Sequence, residues 1–225
     1  MSDFPFDILL FDLDGTLLDT ALDLAPAVNH ALATAGREAV SEGATRTFIG
    51  GGTDMMLGKA LEATGGPVGD AEFARLSKVL VEFYWDNIAV NTVPYPGCIA
   101  TLDLLAQRGV KLAVTTNKAE KPARQLLEEL GMTHRFAAIY GGDTLGRERA
   151  KPLPDMLHAA IADCGGGAAA MVGDSTYDVR AGKAAGLPTV GLRFGYHDVP
   201  VHDLGADVLI DHWDELIPAL ESVRI

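Results

Sequence analysis

The sequence is poor in cysteine and in positive charge. Its two cysteines, Cys98 and Cys164, are far apart and form no CxxC pair. This argues against a disulfide framework or a cysteine-based zinc site and fits a reducing cytoplasm. The 18 Lys and Arg residues against 31 Asp and Glu give a formal net charge of −13. A nucleic-acid partner requires clustered cations, so that class of partner is not expected.

Membrane and secretion signals are also missing. No apolar run approaches the roughly 20 residues that a membrane helix needs. The first residues, MSDFPFDILLF, lack the basic region of a signal peptide. Hydrophobic residues nevertheless make up 48% of the 225 positions, which is normal for a packed globular protein. We therefore expect a cytoplasmic globular protein, a monomer or a homodimer, that binds neither nucleic acid nor a membrane.

The order of the predicted elements indicates an α/β fold. A short apolar run at residues 6–11 predicts a buried strand. Strands and helices alternate from residue 98 onwards, which implies a doubly wound, Rossmann-like parallel sheet with helices on both faces. The later predicted strands are 111–116, 137–140, 169–173, 189–192 and 207–210. The helices between and after them are predicted at 98–107, 121–130, 154–163, 177–185 and from about 213.

A helical block interrupts this pattern after the first strand. Residues 19–87 contain no convincing strand, and Asp19 or Thr20, Thr53 and Asp70 are candidate N-caps for three helices. We therefore predict an α/β core domain of residues 1–17 and 93–225, and an inserted small helical cap domain of residues 18–92.

Polar residues follow the predicted strands at their carboxyl ends, where open parallel sheets bind ligands. We expect them to converge on one cleft. Crowded carboxylates repel one another unless a cation lies between them, and Mg²⁺ prefers such oxygen ligands. A lysine, a hydroxyl and a metal together suit a phosphoryl group. The residues concerned are Asp12, Asp14, Thr116, Asn117, Lys151, Asp174 and Asp178.

The spacing of Asp12 and Asp14 suits two-step catalysis. Residues i and i+2 of an extended segment lie on the same side, so both carboxylates can address one substrate. The first can attack phosphorus, and the second can protonate the leaving group and activate water. The alternatives are a turn of Asp residues here, an acid-rich helix N-terminus for Asp174 and Asp178, and a solvated surface position for Lys151.

Taken together, these residues resemble the haloacid dehalogenase superfamily of phosphohydrolases. The matching motifs are DLDGT at residues 12–16, a strand that ends at Thr116, Lys151, and GDSTYD at residues 173–178. The helical insert after DLDGT resembles the small C1-type cap of that superfamily. Phrases such as TFIGGGTDMML, AVTTNK and KPLPDMLHAA resemble its bacterial phosphoglycolate phosphatase family.

The resemblance implies a Mg²⁺-dependent phosphomonoester hydrolase that acts through an aspartyl-phosphate, with 2-phosphoglycolate as the expected substrate. It implies that Asp12 is the nucleophile and that Asp14 is the general acid and base. Thr116 and Lys151 would hold the phosphoryl group. The implied metal ligands are Asp12, Asp14 through its backbone carbonyl, and Asp174, with Asp178 supporting the metal shell.

Substrate recognition and the exact reaction leave several hypotheses open. We hypothesise that Gly50, Gly51 and Arg46 of the cap meet the substrate carboxylate, with Asn117 as a further substrate-binding residue; a flexible helix entry is the alternative. Arg147 is expected in a solvated loop. Other functions are a phosphatase of a sugar phosphate or of N-acetylmuramic acid 6-phosphate, a phosphosugar mutase, and a non-catalytic sensor of a small phosphorylated metabolite.

Overall fold

The centre of the computed structural model, which describes residues 4–223, is a parallel sheet. The strands are β1 (Ile8–Phe11), β2 (Leu18–Asp19), β3 (Val93–Pro94), β4 (Lys111–Thr115), β5 (Ala138–Tyr140), β6 (Ala169–Gly173), β7 (Thr189–Leu192) and β8 (Val208–Ile210). Six of them lie side by side in the order β5-β4-β1-β6-β7-β8, and all neighbouring pairs are parallel. β1 is therefore central, with β4 and β6 on its two sides.

The chain forms nine α-helices within residues 4–223, and the last five of them cover both faces of this sheet. The helices are α1 (Ala21–Thr34), α2 (Glu42–Arg46), α3 (Thr53–Ala63), α4 (Asp70–Asp86), α5 (Cys98–Gln107), α6 (Glu120–Glu129), α7 (Asp155–Asp163), α8 (Thr176–Ala184) and α9 (Leu216–Ser222). Alternate β1 residues enter different hydrophobic clusters: Leu9 and Phe11 pack with α5, α6 and α9, whereas Ile8 and Leu10 pack with α7 and α8. The predicted doubly wound α/β fold is confirmed.

The helical insert, which we define as residues 20–92 with α1–α4, lies between β2 and β3 in the chain. Leu24, Val28 and Leu32 recur every four residues on α1 and are buried with Leu76 and Leu80 of α4. β2 and β3 form a two-stranded antiparallel ribbon, so the two ends of the insert lie side by side. The division into core and cap domains stays a prediction.

Some local predictions were wrong. The β2–β3 ribbon was missed, because each strand has only two residues and leaves no periodic pattern. Thr53 and Asp70 are the first residues of their helices, and glycines occupy the N-cap positions before them. Thr20 does occupy an N-cap, but its side chain makes no capping hydrogen bond. The predicted bounds of β6, β7 and α5 are confirmed, and the other strand and helix ends differ from the predicted ends by no more than three residues.

No helix within residues 4–223 combines the length and the apolar character that crossing a membrane requires. The expected cytoplasmic location, the oligomeric state and the absence of a nucleic-acid partner stay predictions.

Candidate active site

The carboxyl ends of three neighbouring strands bring the predicted residues together. Asp12 follows β1, Thr116 follows β4 and Asp174 follows β6. The Asp12 amide donates a hydrogen bond of 3.0 Å to the Val172 carbonyl of β6, which keeps the end of β1 against its neighbour. All three side chains are buried. A polar cluster therefore lies at the carboxyl ends of the strands. The strands themselves position its side chains.

Lys151 lies between two carboxylates of this cluster. Its Nζ donates to Asp12 Oδ1 at 2.8 Å and to Asp178 Oδ1 at 2.5 Å. Asp178 Oδ2 accepts hydrogen bonds from the amide and the hydroxyl of Ser175, at 3.0 and 2.6 Å. Burial alone would lower the pKa of Lys151, but the two carboxylates outweigh it and raise that pKa above its ordinary value. The alternative of a solvated surface lysine is wrong, since the side chain is only 1% exposed.

Three buried carboxylates form a group that fits a metal ion. Oxygens of Asp12, Asp174 and Asp178 all lie within 4.8 Å of one another. Burial raises the pKa of Asp12 to about 6, although Lys151 opposes the shift, and the nearby charges of Asp178 and Asp14 add to it. Burial and the charges of Asp12 and Asp178 also raise the pKa of Asp174. A divalent cation with a preference for oxygen would offset this desolvation and repulsion, so the donor set fits Mg²⁺.

Asp174 is held from two sides by the turn after β1 and by a later loop. Its Oδ1 accepts a hydrogen bond of 2.9 Å from the Thr16 hydroxyl, and the Tyr196 amide donates to its Oδ2. Gly15 has a φ of 85°, and a Cβ there would run into the Asp174 carboxylate and lie 2.8 Å from the Tyr196 ring. Only glycine lets the turn pass this close, which explains the Gly in DLDGT.

Asp14 has a partner that the sequence analysis missed. The Lys118 ammonium donates to both Asp14 oxygens, at 3.0 and 3.1 Å. Lys118 Nζ also lies 4.5 Å from the centre of the Tyr84 ring of α4. Burial lowers the pKa of Lys118, but Asp14 and Tyr84 raise it by more, so the ammonium stays charged. Burial raises the pKa of Tyr84 to about 12, so its phenol keeps a proton. The position of Lys118, three residues after β4, was the available signal.

A cavity of about 230 Å³ lies between this polar cluster and the helical insert. The core contributes polar residues to its lining, and the insert contributes mostly apolar and aromatic ones. The core residues include Asp12, Asp14, Thr116, Asn117 and Lys118. The insert residues include Leu24, Ile49, Met56, Val81, Tyr84 and Trp85. The cavity thus has a polar wall at the carboxylates and a mostly apolar wall on the insert.

The glycine loop before α3 reaches the predicted site. Gly50 lines the cavity, and Gly51 lines an adjoining one with Lys151. Asn117 Nδ2 donates to the Gly50 carbonyl at 3.2 Å and to the Lys151 carbonyl at 3.1 Å, which links the insert to the core. Asn117 therefore holds the loop and the lysine as well as lining the cavity.

Arg46 is not among the residues that line the two cavities described above, and its contact with the substrate stays a prediction. Its guanidinium lies 3.0 Å from Asp19 and 2.9 Å from Glu42, and it stacks over the Tyr196 ring. α2 directs the Arg46 side chain towards Asp19 and Tyr196. The spacing of residues along the chain does not reveal this direction. Arg147, expected in a solvated loop, is mostly exposed, but it also lines the cavity and pairs with Asp54 of α3 at 2.7 Å.

Comparisons with known proteins agree with this arrangement. The sequence model of the family described as "Haloacid dehalogenase-like hydrolase" matches residues 9–192. A protein of Mesorhizobium japonicum named phosphoglycolate phosphatase is 43% identical over 211 residues, which cover 93% of this chain and 92% of the relative. A protein of Agrobacterium fabrum with the same name is 41% identical over 217 residues, 95% of this chain and 91% of the relative.

A solved structure has the same fold over nearly the whole chain. The crystal structure of a protein from Haemophilus somnus, described as a predicted phosphoglycolate phosphatase, superposes with a TM-score of 0.88 at 30% identity. The match covers 95% of this chain and 97% of that one. These findings confirm the expected superfamily and the prediction of a hydrolytic enzyme. The chain belongs to the haloacid dehalogenase-like hydrolase family.

Proposed function

We propose that the chain is a Mg²⁺-dependent phosphomonoester hydrolase that converts 2-phosphoglycolate to glycolate and phosphate through an aspartyl-phosphate. The observation that carries this proposal is the contact of Lys151 with Asp12, which lines a small cavity and shares a buried carboxylate group with Asp174. The names of the relatives with 43% and 41% identity support the substrate.

Asp12 is the nucleophile in this proposal. One of its carboxylate oxygens attacks phosphorus, a new P–O bond forms, and the bond from phosphorus to the glycolate oxygen breaks. Asp14 gives its proton to the departing alkoxide. Asp14 then takes a proton from a water molecule, whose oxygen attacks the phosphorus of the aspartyl-phosphate and releases phosphate and free Asp12. Asp14 lies two residues after Asp12 and lines the same cavity.

Lys151 and Thr116 bind the phosphoryl oxygens. The Lys151 ammonium is already fixed by Asp12 and Asp178, so it is positioned before the substrate arrives. Thr116 is buried at the end of β4, lines the same cavity and offers a hydroxyl donor. Such preorganised donors stabilise the charge that develops during phosphoryl transfer.

Mg²⁺ would be held by Asp12, Asp174 and the backbone carbonyl of Asp14, with Asp178 as support. When bound, the ion supplies charge neutralisation for the phosphoryl oxygens and for the crowded carboxylates. The fit rests on the buried oxygen donors within 4.8 Å of one another.

Residues 18–92 act as a cap domain on a catalytic core of residues 1–17 and 93–225. The insert covers the polar cluster with Leu24, Met56, Val81 and other apolar side chains, which exclude bulk water during transfer. A cavity of about 230 Å³ suits a small substrate better than a disaccharide or a nucleotide.

Phosphate release across a panel of substrates tests the proposal. The panel contains 2-phosphoglycolate, N-acetylmuramic acid 6-phosphate, glucose 6-phosphate and glucose 1-phosphate, each with Mg²⁺ and with a chelator. We expect the highest kcat/KM for 2-phosphoglycolate and no turnover with the chelator. A sugar phosphate with the highest value would contradict the substrate and retain the mechanism. Isomerisation of glucose 1-phosphate would indicate a mutase, and no release from any compound would favour a sensor.

A further inference from the structure

A second group of polar side chains borders the cavity, on the side of α4. The Lys118 ammonium lies beside the Tyr84 ring, and Tyr84 and Trp85 line the same cavity. Tyr84 Oη and Trp85 Nε1 are both buried and have no hydrogen-bond partner within residues 4–223. Buried donors without a partner carry a desolvation cost, so a native site of this kind calls for an acceptor.

The two buried lysines of the site differ in the carboxylates they contact and in the cavity they line. An ammonium has three N–H groups. Lys151 directs its donors to two different carboxylates, Asp12 and Asp178. Lys118 meets a single carboxylate, that of Asp14, with two hydrogen bonds of 3.0 and 3.1 Å. Each ammonium therefore has one N–H group left, and Lys118 lines this cavity whereas Lys151 lines the adjoining one.

The other charged groups along this cavity leave Lys118 as the cation that a small anion would meet. Asp143 accepts a hydrogen bond from the Glu120 amide, and the Arg147 side chain is mostly exposed and paired with Asp54. Asp12 and Asp14 are negative and repel an anion unless a cation shields them. Lys118, Tyr84 and Trp85 thus lie together along one side of the cavity, where Asp14 is the carboxylate in contact with the Lys118 ammonium.

We propose that Lys118, Tyr84 and Trp85 form the subsite that binds the carboxylate of the substrate. This inference rests on the proposed function, and it makes Lys118 the specificity-determining residue in the place that the sequence analysis gave to Arg46. The phosphoryl group lies at Asp12 and Lys151, and the carboxylate lies against Lys118 near Asp14. The substrate class is therefore a small phosphomonoester with a carboxylate close to the phosphoryl group.

Two substrates that differ only at the carboxylate separate this role from a general effect on catalysis. 2-Phosphoglycolate carries the carboxylate, and 2-hydroxyethyl phosphate carries a neutral hydroxymethyl group in its place. We expect Lys118→Met to lower the ratio of kcat/KM for 2-phosphoglycolate to that for 2-hydroxyethyl phosphate by about 100-fold, because a buried charge-assisted contact is lost. Lys118→Arg should retain most of the ratio, and Tyr84→Phe should lower it by about 5-fold.

Binding of phosphonates gives a readout without turnover. 3-Phosphonopropionate and propylphosphonate differ in the same carboxylate, and calorimetry with Mg²⁺ measures their Kd values. The wild-type preference for 3-phosphonopropionate should disappear in Lys118→Met. Lys121→Met is the matched control, because Lys121 lies on the same stretch of chain and its ammonium contacts the Trp85 ring at 4.4 Å from outside the cavity lining. It should keep the preference.

The outcomes distinguish the two proposals. A wild-type enzyme that does not prefer 2-phosphoglycolate overturns the proposed substrate and this subsite with it. A wild-type preference that persists in Lys118→Met and in Tyr84→Phe overturns the subsite alone. If Lys118→Met lowers kcat/KM equally for both substrates, the lysine acts through Asp14. That result also overturns the subsite. Circular dichroism and Tm values identify a variant that fails to fold, and the Tyr84→Phe result then decides.

Discussion

Lys151 Nζ lies 2.5 Å from Asp178 Oδ1, and both side chains are only 1% exposed. Asp178 is also the N3 residue of the capping box of α8, where its other oxygen accepts from Ser175. The Asp178 carboxylate thus stabilises the first turn of α8 and also holds the Lys151 ammonium, which contacts the proposed nucleophile Asp12. The local fold of α8 and the position of Lys151 are consequences of the same side chain.

We expect Asp178→Ala to lower the free energy of unfolding by about 3 kcal/mol when Mg²⁺ is present, because a buried ion pair and a cap are both lost. Without Mg²⁺ the loss should be smaller, since the change also relieves repulsion on Asp12 and Asp174. Urea unfolding with Mg²⁺ and with a chelator measures the difference. Ser175→Ala, which removes the hydroxyl partner and keeps the ion pair, should cost about 1 kcal/mol. A larger loss in the chelator would contradict this account.

The sequence predicted much of the site because strand ends follow from patterns along the chain. Asp12, Thr116 and Asp174 each come directly after a mainly apolar strand, and parallel strands bring such positions to one edge. Their convergence needs no knowledge of side-chain directions. Lys151 was found only by its place in the order of motifs, since a lysine before a proline carries little signal by itself.

The contacts between the core and the insert could not be predicted in the same way. Arg46 and Lys118 both have neighbours that are distant in sequence, Asp19 for the first and Tyr84 for the second. Which of them reaches the cavity depends on how α2 and α4 pack on the core. That orientation is decided by tertiary contacts, which the helical period of one segment does not contain.

Asp12→Asn should abolish turnover and leave the fold intact. The amide cannot form the aspartyl-phosphate, so we expect kcat to fall by at least about 1000-fold. A neutral side chain also removes one buried charge from the crowded carboxylates, so the Tm measured with a chelator should not fall. Steady-state kinetics and thermal unfolding test the two parts. Appreciable turnover in a pure preparation would exclude Asp12 as the nucleophile.

Mg²⁺ should stabilise the folded protein through the buried carboxylates. An ion present at 100 times its Kd contributes about 2.7 kcal/mol, which raises the Tm by about 5 °C or more for a chain of this length. Asp174→Asn should lose most of this rise. Asp203→Asn is a suitable control, because Asp203 is exposed and lies away from the cluster, next to His202. An equal rise in wild type and Asp174→Asn would contradict the predicted ligand set, whatever the activity of either protein.

Arg46→Ala should affect stability and leave the KM for 2-phosphoglycolate unchanged. The ion pair with Asp19 is partly exposed, so we expect a loss of about 1 kcal/mol in the free energy of unfolding, including the contact with the Tyr196 ring. Arg46→Lys keeps the positive charge, so its free energy of unfolding should fall by less than that of Arg46→Ala. A KM that rises several-fold in Arg46→Ala, with an unchanged Tm, would restore the original assignment of Arg46 to the substrate.

The difference in unfolding free energy between wild type and Arg46→Ala should depend on pH. This dependence is an independent check of the Arg46–Asp19 ion pair. Partial burial raises the pKa of Asp19, but the hydrogen bonds from Arg46 and Tyr196 outweigh it and hold that pKa below its ordinary value of 3.8. A carboxyl whose folded pKa is lowered stabilises the protein above its unfolded pKa, and this contribution disappears as the pH falls through the folded value. The difference between wild type and Arg46→Ala should therefore be full near pH 7 and shrink below about pH 4. Urea unfolding at both pH values measures it, and a difference that grows in acid would mean that Arg46 stabilises the fold through something other than the Asp19 carboxylate.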